Sequence, residues 1–267
     1  MIFRIYELPV WAYGLMILAP LLLAMELGAW NGRRSRERSG TAEDWSNDKR
    51  RTLEIGALLA LMGLVLAFTY SFSLSRIDLR KDALVQEVNA IGTAFLRADL
   101  LPEPGRTELR AHLLDYARTR LMTEDAKRSL ALAQRQIEES LAAQAELWPA
   151  TKRALQADVP APVKILNIQA INDVIDAHTV RIAVGFDRLP MSVFILMVGV
   201  AALSVGFAAQ IAAQEGMFIR ARISAFALVL SGLIFIIVDF DNSSRGLVQM
   251  SQDSVVALIR DMEREIK

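Results

Sequence analysis

The sequence contains no cysteine and only two histidines, His112 and His178, among its 267 residues. Without cysteine there are no disulfides, no thiolate nucleophile and no sulfur-ligated metal. Two histidines with no local carboxylate pattern around them do not make a metal site. His178 falls on an apolar stripe and is expected to be a core histidine. No G-x-S-x-G elbow and no phosphate-cradling glycine loop is present, so hydrolase and nucleotide-dependent chemistries lack their signatures. Net charge is also missing, because 30 Lys and Arg balance 30 Asp and Glu. Nucleic acid is therefore not an expected partner.

Apolar residues, by contrast, make up 53% of the chain. They gather in four windows, at 8–27, 55–74, 190–213 and 223–238. About 20 apolar residues cross the roughly 30 Å hydrocarbon core of a bilayer, so the chain reads as an all-α, multi-pass integral membrane protein. The first window is expected to be a retained span: only Arg4 precedes it, Pro20 interrupts it, and no small-residue cleavage pattern follows. The last window, at about 16 residues, reaches only about 24 Å. It must recruit the preceding Met217–Ile219 or lie where the bilayer is thin.

The charged residues lie mostly between these windows. Residues 31–54 show no apolar period and are expected to form an exposed loop. In the second span Gly56, Ala60, Gly63 and Ala67 recur at spacings that permit close packing on other helices. Ala202 and Gly206 do the same in the third. Beyond Arg76, the residues Ile77, Leu84, Val88, Ile91 and Phe95 continue a helical stripe, so the second helix should run on into water until Pro102 and Pro104 end it.

Further helices are expected over 107–122, from Thr123 onward with Leu130, Ile137, Leu141, Trp148 and Leu155 as the buried stripe, and from 164 to Pro190 with Ile165, Ile168, Ile171, Ile175, Ile182 and Phe186. Pro149 should kink or restart the second of these. The expected organisation is thus 1–75 for two spans and their loop, 76–189 for a helical aqueous domain inserted between spans 2 and 3, 190–240 for two more spans, and 241–267 for an amphipathic tail.

Few residues carry a chemical suggestion. Glu26 is the one acid within a span, and it is expected to reach headgroups or cap a neighbouring helix at the interface. Residues 239–246, "DFDNSSRG", offer oxygen ligands without EF-hand spacing, and a turn with Asp239 or Asp241 paired to an arginine is the expectation. No metal and no cofactor is expected. Ala60, Leu64, Phe68, Ser71 and Ser75 follow one line of the second span. Repeated around a symmetry axis, Leu64 and Phe68 would form a dewetting constriction with hydroxyls below it; within one subunit the same line would pack on neighbouring helices.

Residues 75–121, "SRIDLRKDALVQEVNAIGTAFLRADLLPEPGRTELRAHLLDYARTRL", and 239–255, "DFDNSSRGLVQMSQDSV", resemble the two signatures of the bacterial bestrophin-like membrane family. Arg76, Arg80, Glu87, Asn89, Gly92, Arg97, Asp239, Asp241, Arg245 and Gly246 carry that resemblance. A more distant likeness to true bestrophins implies a pentameric anion channel of the inner membrane. Its second helix would line the pore with an apolar neck, here Ala60, Leu64 and Phe68, and continue into the cytosolic part. Small inorganic anions, the bilayer and further copies of the chain would be the partners.

Two orientations stand side by side. Bestrophin topology keeps the large domain in the cytosol, whereas the seven Lys and Arg of residues 31–54 draw that loop inward. The competing functional class is a non-conducting membrane protein whose helical domain binds a partner or senses a signal. An enzyme would need Glu26, His112 or His178 to cluster.

Overall fold

The computed structural model describes residues 10–39, 49–241, 246–247 and 249–266. Among these there are nine helices and no strand. Four of the helices are long and apolar enough to cross a membrane. The chain is an all-α integral membrane protein. It divides into two compact units, residues 1–75 with 188–242 and residues 76–187 with 243–267.

The first unit contains α1 (Val10–Ser39), the apolar half of α2 (Lys49–Ala98), α7 (Met191–Gln214) and α8 (Arg220–Asp241). Ile17, Leu21, Met25 and Ala29 form a four-residue ridge on α1, and Met197, Ala201, Val205, Ala209 and Ala213 form another on α7; all are buried. Ridges of this spacing interdigitate when the helices lie close. Glycine permits that closeness: a Cβ on Gly28 would stand 2.1 Å from the Gly206 carbonyl oxygen, and one on Gly32 would stand 2.3 Å from that of Gln210. Ile223, Ala227, Leu230, Ile234 and Ile237 of α8 complete the core, to which α2 adds the buried Met62 and Leu66 and the half-buried Leu59 and Val65.

The second unit contains the polar half of α2, α3 (Gly105–Thr119), α4 (Glu124–Arg128), α5 (Leu130–Ala154), α6 (Ala161–Phe186) and α9 (Asp253–Ile266). Its core joins Ile91, Phe95 and Ala98 of α2 to Leu109, Leu113 and Tyr116 of α3, Leu147 and Ala150 of α5, Ile171 and Val174 of α6, and Met262 of α9. The α2 stripe expected from Ile77 to Phe95 is the buried face, with Val88 half-buried.

Several local expectations are corrected. Residues 31–39 and 49–54 are helical rather than looped, because Arg, Glu and Ser tolerate a helix without an apolar period, and Arg36 and Arg38 in the last turn of α1 complement its negative end. Residues 40–48 and the first two residues of the 8–27 window lie outside the described residues. The last span gains length at both its ends, over Arg220–Ala221–Arg222 and Asp239–Asp241, and not by recruiting 217–219. Its 22 residues reach about 33 Å.

The helix expected from Thr123 breaks at Ser129, which is extended. Thr123 caps the short α4 by accepting the Ala126 N–H at 3.2 Å. Pro149 lies within an unbroken α5, where Leu147, Ala150, Thr151 and Ala154 are all buried around it. Leu141 and Trp148 point outward, and Ser140 and Thr151 take the core side instead. They satisfy their hydroxyls on the α5 carbonyls of Ile137 and Leu147. On α6, Asn167, Ala170, Ile171, Val174 and His178 are buried, while Ile165 and Phe186 are exposed.

The glycines of α2 depart furthest from expectation. A Cβ on Gly56 or Gly63 would meet nothing within 4 Å, and Ala60 and Ala67 are exposed. Small residues permit close packing without compelling it. Among the described helices of the first unit, Gly28, Gly32 and Gly206 make the close contacts.

Candidate functional site

Two features of α2 stand out, one in each unit. In the first unit only 17% of its most apolar stretch is buried, against 33% for α1 and 39% for α8. The buried residues Met62, Leu66, Thr69 and Ser73 share one side. At 100° per residue their mean direction lies roughly 170° from that of Ala60, Leu64, Phe68, Ser71 and Ser75. All five residues of that line are exposed, Leu64 at 53% and Phe68 at 65%. They do not pack on neighbouring helices of the same subunit.

In the second unit the same helix carries Glu87, fully buried, into a cluster drawn from four helices. Its Oε1 accepts from the Tyr116 hydroxyl at 2.6 Å and from Arg120 Nε at 2.8 Å, and its Oε2 accepts from Arg181 Nη1 at 2.5 Å. Arg120 donates further to Ser140 Oγ at 3.0 Å, and Arg181 Nη2 donates to the Arg120 carbonyl at 3.2 Å. Tyr116 Oη also lies 2.9 Å from His178 Nδ1.

Burial by itself would push the Glu87 carboxyl up, but His178, the Arg120 and Arg181 guanidinia and the Tyr116 hydroxyl outweigh it and hold the group at about 2. Burial, reinforced by the Glu87 charge, raises the Tyr116 phenol. Because an ionised carboxylate only accepts, the single Tyr116 proton goes to Glu87, and His178 Nδ1–H must donate to Tyr116. The buried His178 Nε2 has no hydrogen-bond partner among the described residues.

Other motif residues brace this arrangement. Arg80, buried, donates to the carbonyls of Val184 at 3.1 Å and Asp187 at 2.6 Å, capping the C-terminal end of α6. Arg76 pairs with the Asp187 carboxylate at 3.5 Å. Arg97 Nη1 donates to the Leu166 carbonyl at 3.1 Å, and Asn167 returns a bond to the Arg97 carbonyl at 3.2 Å. Gly92 meets α9, where a Cβ would touch Leu258 at 3.4 Å. Asn89 is exposed and has no role in this network.

In the first unit Asp241 accepts the Leu189 N–H at 3.0 and 3.1 Å, while Arg188 donates to the Asp241 carbonyl. Asp239 is buried. Arg245 lies outside the described residues, and Gly246 is buried. Among the described residues no group of three or more acidic, histidine or cysteine side chains is placed to hold a metal. Glu26 grips Arg220 with both oxygens, at 2.9 and 3.0 Å. Glu26 belongs to the first unit and His112 and His178 to the second; Tyr116 and Glu87 are the groups at His178.

Tyr116 and Arg120 lie within the 75–121 stretch that resembles the family but were given no role by sequence, and neither Ser140 nor Arg181 was placed in this cluster by it. Gln252, of the serine-glutamine in the second signature, was given no structural role by sequence. Its amide bonds both the N–H and the carbonyl of Met122, at 2.6 and 3.1 Å, fixing the segment between α3 and α4 in the way a paired strand would.

The family model for the Bestrophin-like domain matches residues 51–255. The chain belongs to the bestrophin-like family. Its fold is similar to that of a bacterial bestrophin homologue from Klebsiella pneumoniae, solved as a point mutant, at 12% identity and a TM-score of 0.61, over 94% of this chain and 97% of that one. A further structure of the Klebsiella pneumoniae homologue, solved by zinc phasing, matches at 13% identity and a TM-score of 0.55, again over 94% and 97%. A crystal structure described only as that of a membrane protein with a point substitution matches at 11% identity and a TM-score of 0.63, over 96% and 97%. No curated protein matches the chain.

Proposed function

We propose that the chain is one subunit of a homo-oligomeric, passive ion conduit in the bacterial inner membrane, with α2 lining the pore. The observation that carries this is the exposed α2 face: the line Ala60, Leu64, Phe68, Ser71, Ser75 lies opposite the side that packs on its own subunit. An apolar face of this kind, multiplied around an axis, forms a neck that gates by dewetting at Leu64 and Phe68, above a ring of hydroxyls at Ser71 and Ser75. The open small residues Gly56, Gly63 and Ala67 lie at the flank of that line, where copies would meet.

Anions are the proposed permeant class and five the proposed copy number, both from the family likeness. Residues 76–189 form the proposed aqueous domain and residues 241–267 its tail. Passive flux needs neither a cofactor nor a catalytic residue.

The test is chloride efflux from liposomes holding the purified full chain, beside empty liposomes and a cation-flux control, with the mass of the detergent-solubilised particle measured in parallel. Chloride flux well above control from an oligomer supports the conduit. A monomeric particle, or no flux of either ion from a folded, inserted protein, would favour a partner-binding membrane protein. In a conducting preparation Phe68→Ala is expected to raise flux about threefold or more, because it removes one ring per copy from the constriction. Unchanged conductance and selectivity would place the neck elsewhere.

A further inference from the structure

We infer that the arginines ending α1, together with the turn between α7 and α8, bind the phosphodiester headgroup of an anionic phospholipid. Trp11 and Trp30 are 68% and 58% exposed and stand 19 positions apart on one helix. That separation is about 28 Å of helix, close to the hydrocarbon thickness, and tryptophan favours the headgroup level. Trp30 thus marks one boundary of the bilayer, and Arg33, Arg34, Arg36 and Arg38, all exposed, follow within the next turns.

The guanidinia are held by the structure. Arg34 lies over the Trp30 ring and Arg33 over the Phe218 ring, each 5.3 Å from the centroid. Gly216 adopts a φ of +76°, and a Cβ there would stand 2.2 Å from Arg36 Nη1, so the Arg36 head lies directly against the turn. In that same turn Met217 and Ile219 are 60% and 52% exposed, an apolar surface beside the charges.

The local charge is in excess. Arg33, Arg34, Arg36, Arg38, Arg220 and Arg222 face only Glu26, Glu37 and Glu215 within residues 26–38 and 215–222. Glu26 pairs with Arg220, and its charge also reaches Arg33 without an ion-pair contact. Among the described residues no carboxylate forms an ion pair with Arg33, Arg34 or Arg36. Guanidinium forks match phosphate oxygens in pairs, and basic clusters next to a span attract anionic lipid. Free phosphate would meet the same arginines, but it has no acyl chain for Met217 and Ile219 to contact. The site is therefore assigned to the lipid.

Native mass spectrometry of the full chain in detergent tests this, with phosphatidylglycerol and phosphatidylcholine of identical chains added at matched concentrations. Wild type is expected to retain the glycerol lipid selectively. R33Q/R36Q should lower its retention by about tenfold or more with the choline lipid unchanged, R33K/R36K should keep most of it, and R135Q/R264Q in the second unit should keep all of it. Should R33Q/R36Q not fold, wild-type binding still decides, since raising salt from about 0.05 to 0.5 M should weaken it. Equal retention of both lipids, or retention indifferent to both Arg33 and Arg36 and to salt, would overturn the assignment. So would displacement by millimolar inorganic phosphate bound through the same arginines, or loss of the oligomer in R33Q/R36Q with lipid binding intact, which would assign the arginines to a neighbouring copy.

Discussion

Glu87→Ala is expected to destabilise the second unit by roughly 3–5 kcal/mol, the range for removing one partner from a buried ion pair. The carboxylate is fully buried, Arg120 and Arg181 both bond it, and its loss would leave two guanidinia facing each other without an anion. The Tyr116 hydroxyl would lose its acceptor as well. A second route gives a similar figure: the fall of the carboxyl from 4.5 to about 2 corresponds to roughly 3 kcal/mol.

The sign of the pH dependence follows. A carboxyl whose folded value lies below its unfolded value contributes stability that is complete above the unfolded value and is lost as pH falls through the folded one. Between about pH 4.5 and pH 2 the wild type should therefore lose this contribution, and Glu87→Gln should show a shallower loss over the same interval. Denaturant unfolding of the detergent-solubilised chain, with hydrogen exchange reporting residues 76–187 separately, measures both. A change below about 1 kcal/mol in Glu87→Ala would mean that the cluster does not hold the unit together.

Gly28→Leu is expected to prevent α1 and α7 from docking. Even the Cβ of alanine would enter the Gly206 carbonyl at 2.1 Å, and the obstacle is backbone, which no rotamer change relieves. Ordinary overpacking costs about 1–3 kcal/mol, and a contact against main chain should reach or exceed the top of that range. Gly14→Ala on the same helix is the control: its Cβ would meet nothing within 4 Å, so it should be neutral or stabilise by up to about 1 kcal/mol through helix propensity. Thermal unfolding of the two variants in one detergent gives the comparison. Equal midpoints would show that the α1–α7 approach is looser than the structure has it.

The family signature and the four spans were legible because each is a local property. About 20 apolar residues cross a bilayer wherever they sit, and the α2 stripe from Ile77 to Phe95 repeats every turn. Glu87 was legible only as part of a motif. Its partners Tyr116, Arg120, His178 and Arg181 lie 29, 33, 91 and 94 positions away, on α6 and on or at the end of α3, and no short pattern links them. On α5 the larger apolar residues Leu141 and Trp148 suggested the buried face, but small residues and self-satisfied hydroxyls allow the closer approach, and the core took that side.

What the sequence by itself determined was helix type, the membrane-length spans and the family, since hydropathy, periodicity and motif act within a few turns. Which glycines meet another backbone and which stand open, which face of α2 its own subunit leaves uncovered, and which arginines gather on one carboxylate were decided only by tertiary structure. Each of these depends on the distance between residues far apart in the chain, and packing sets that distance.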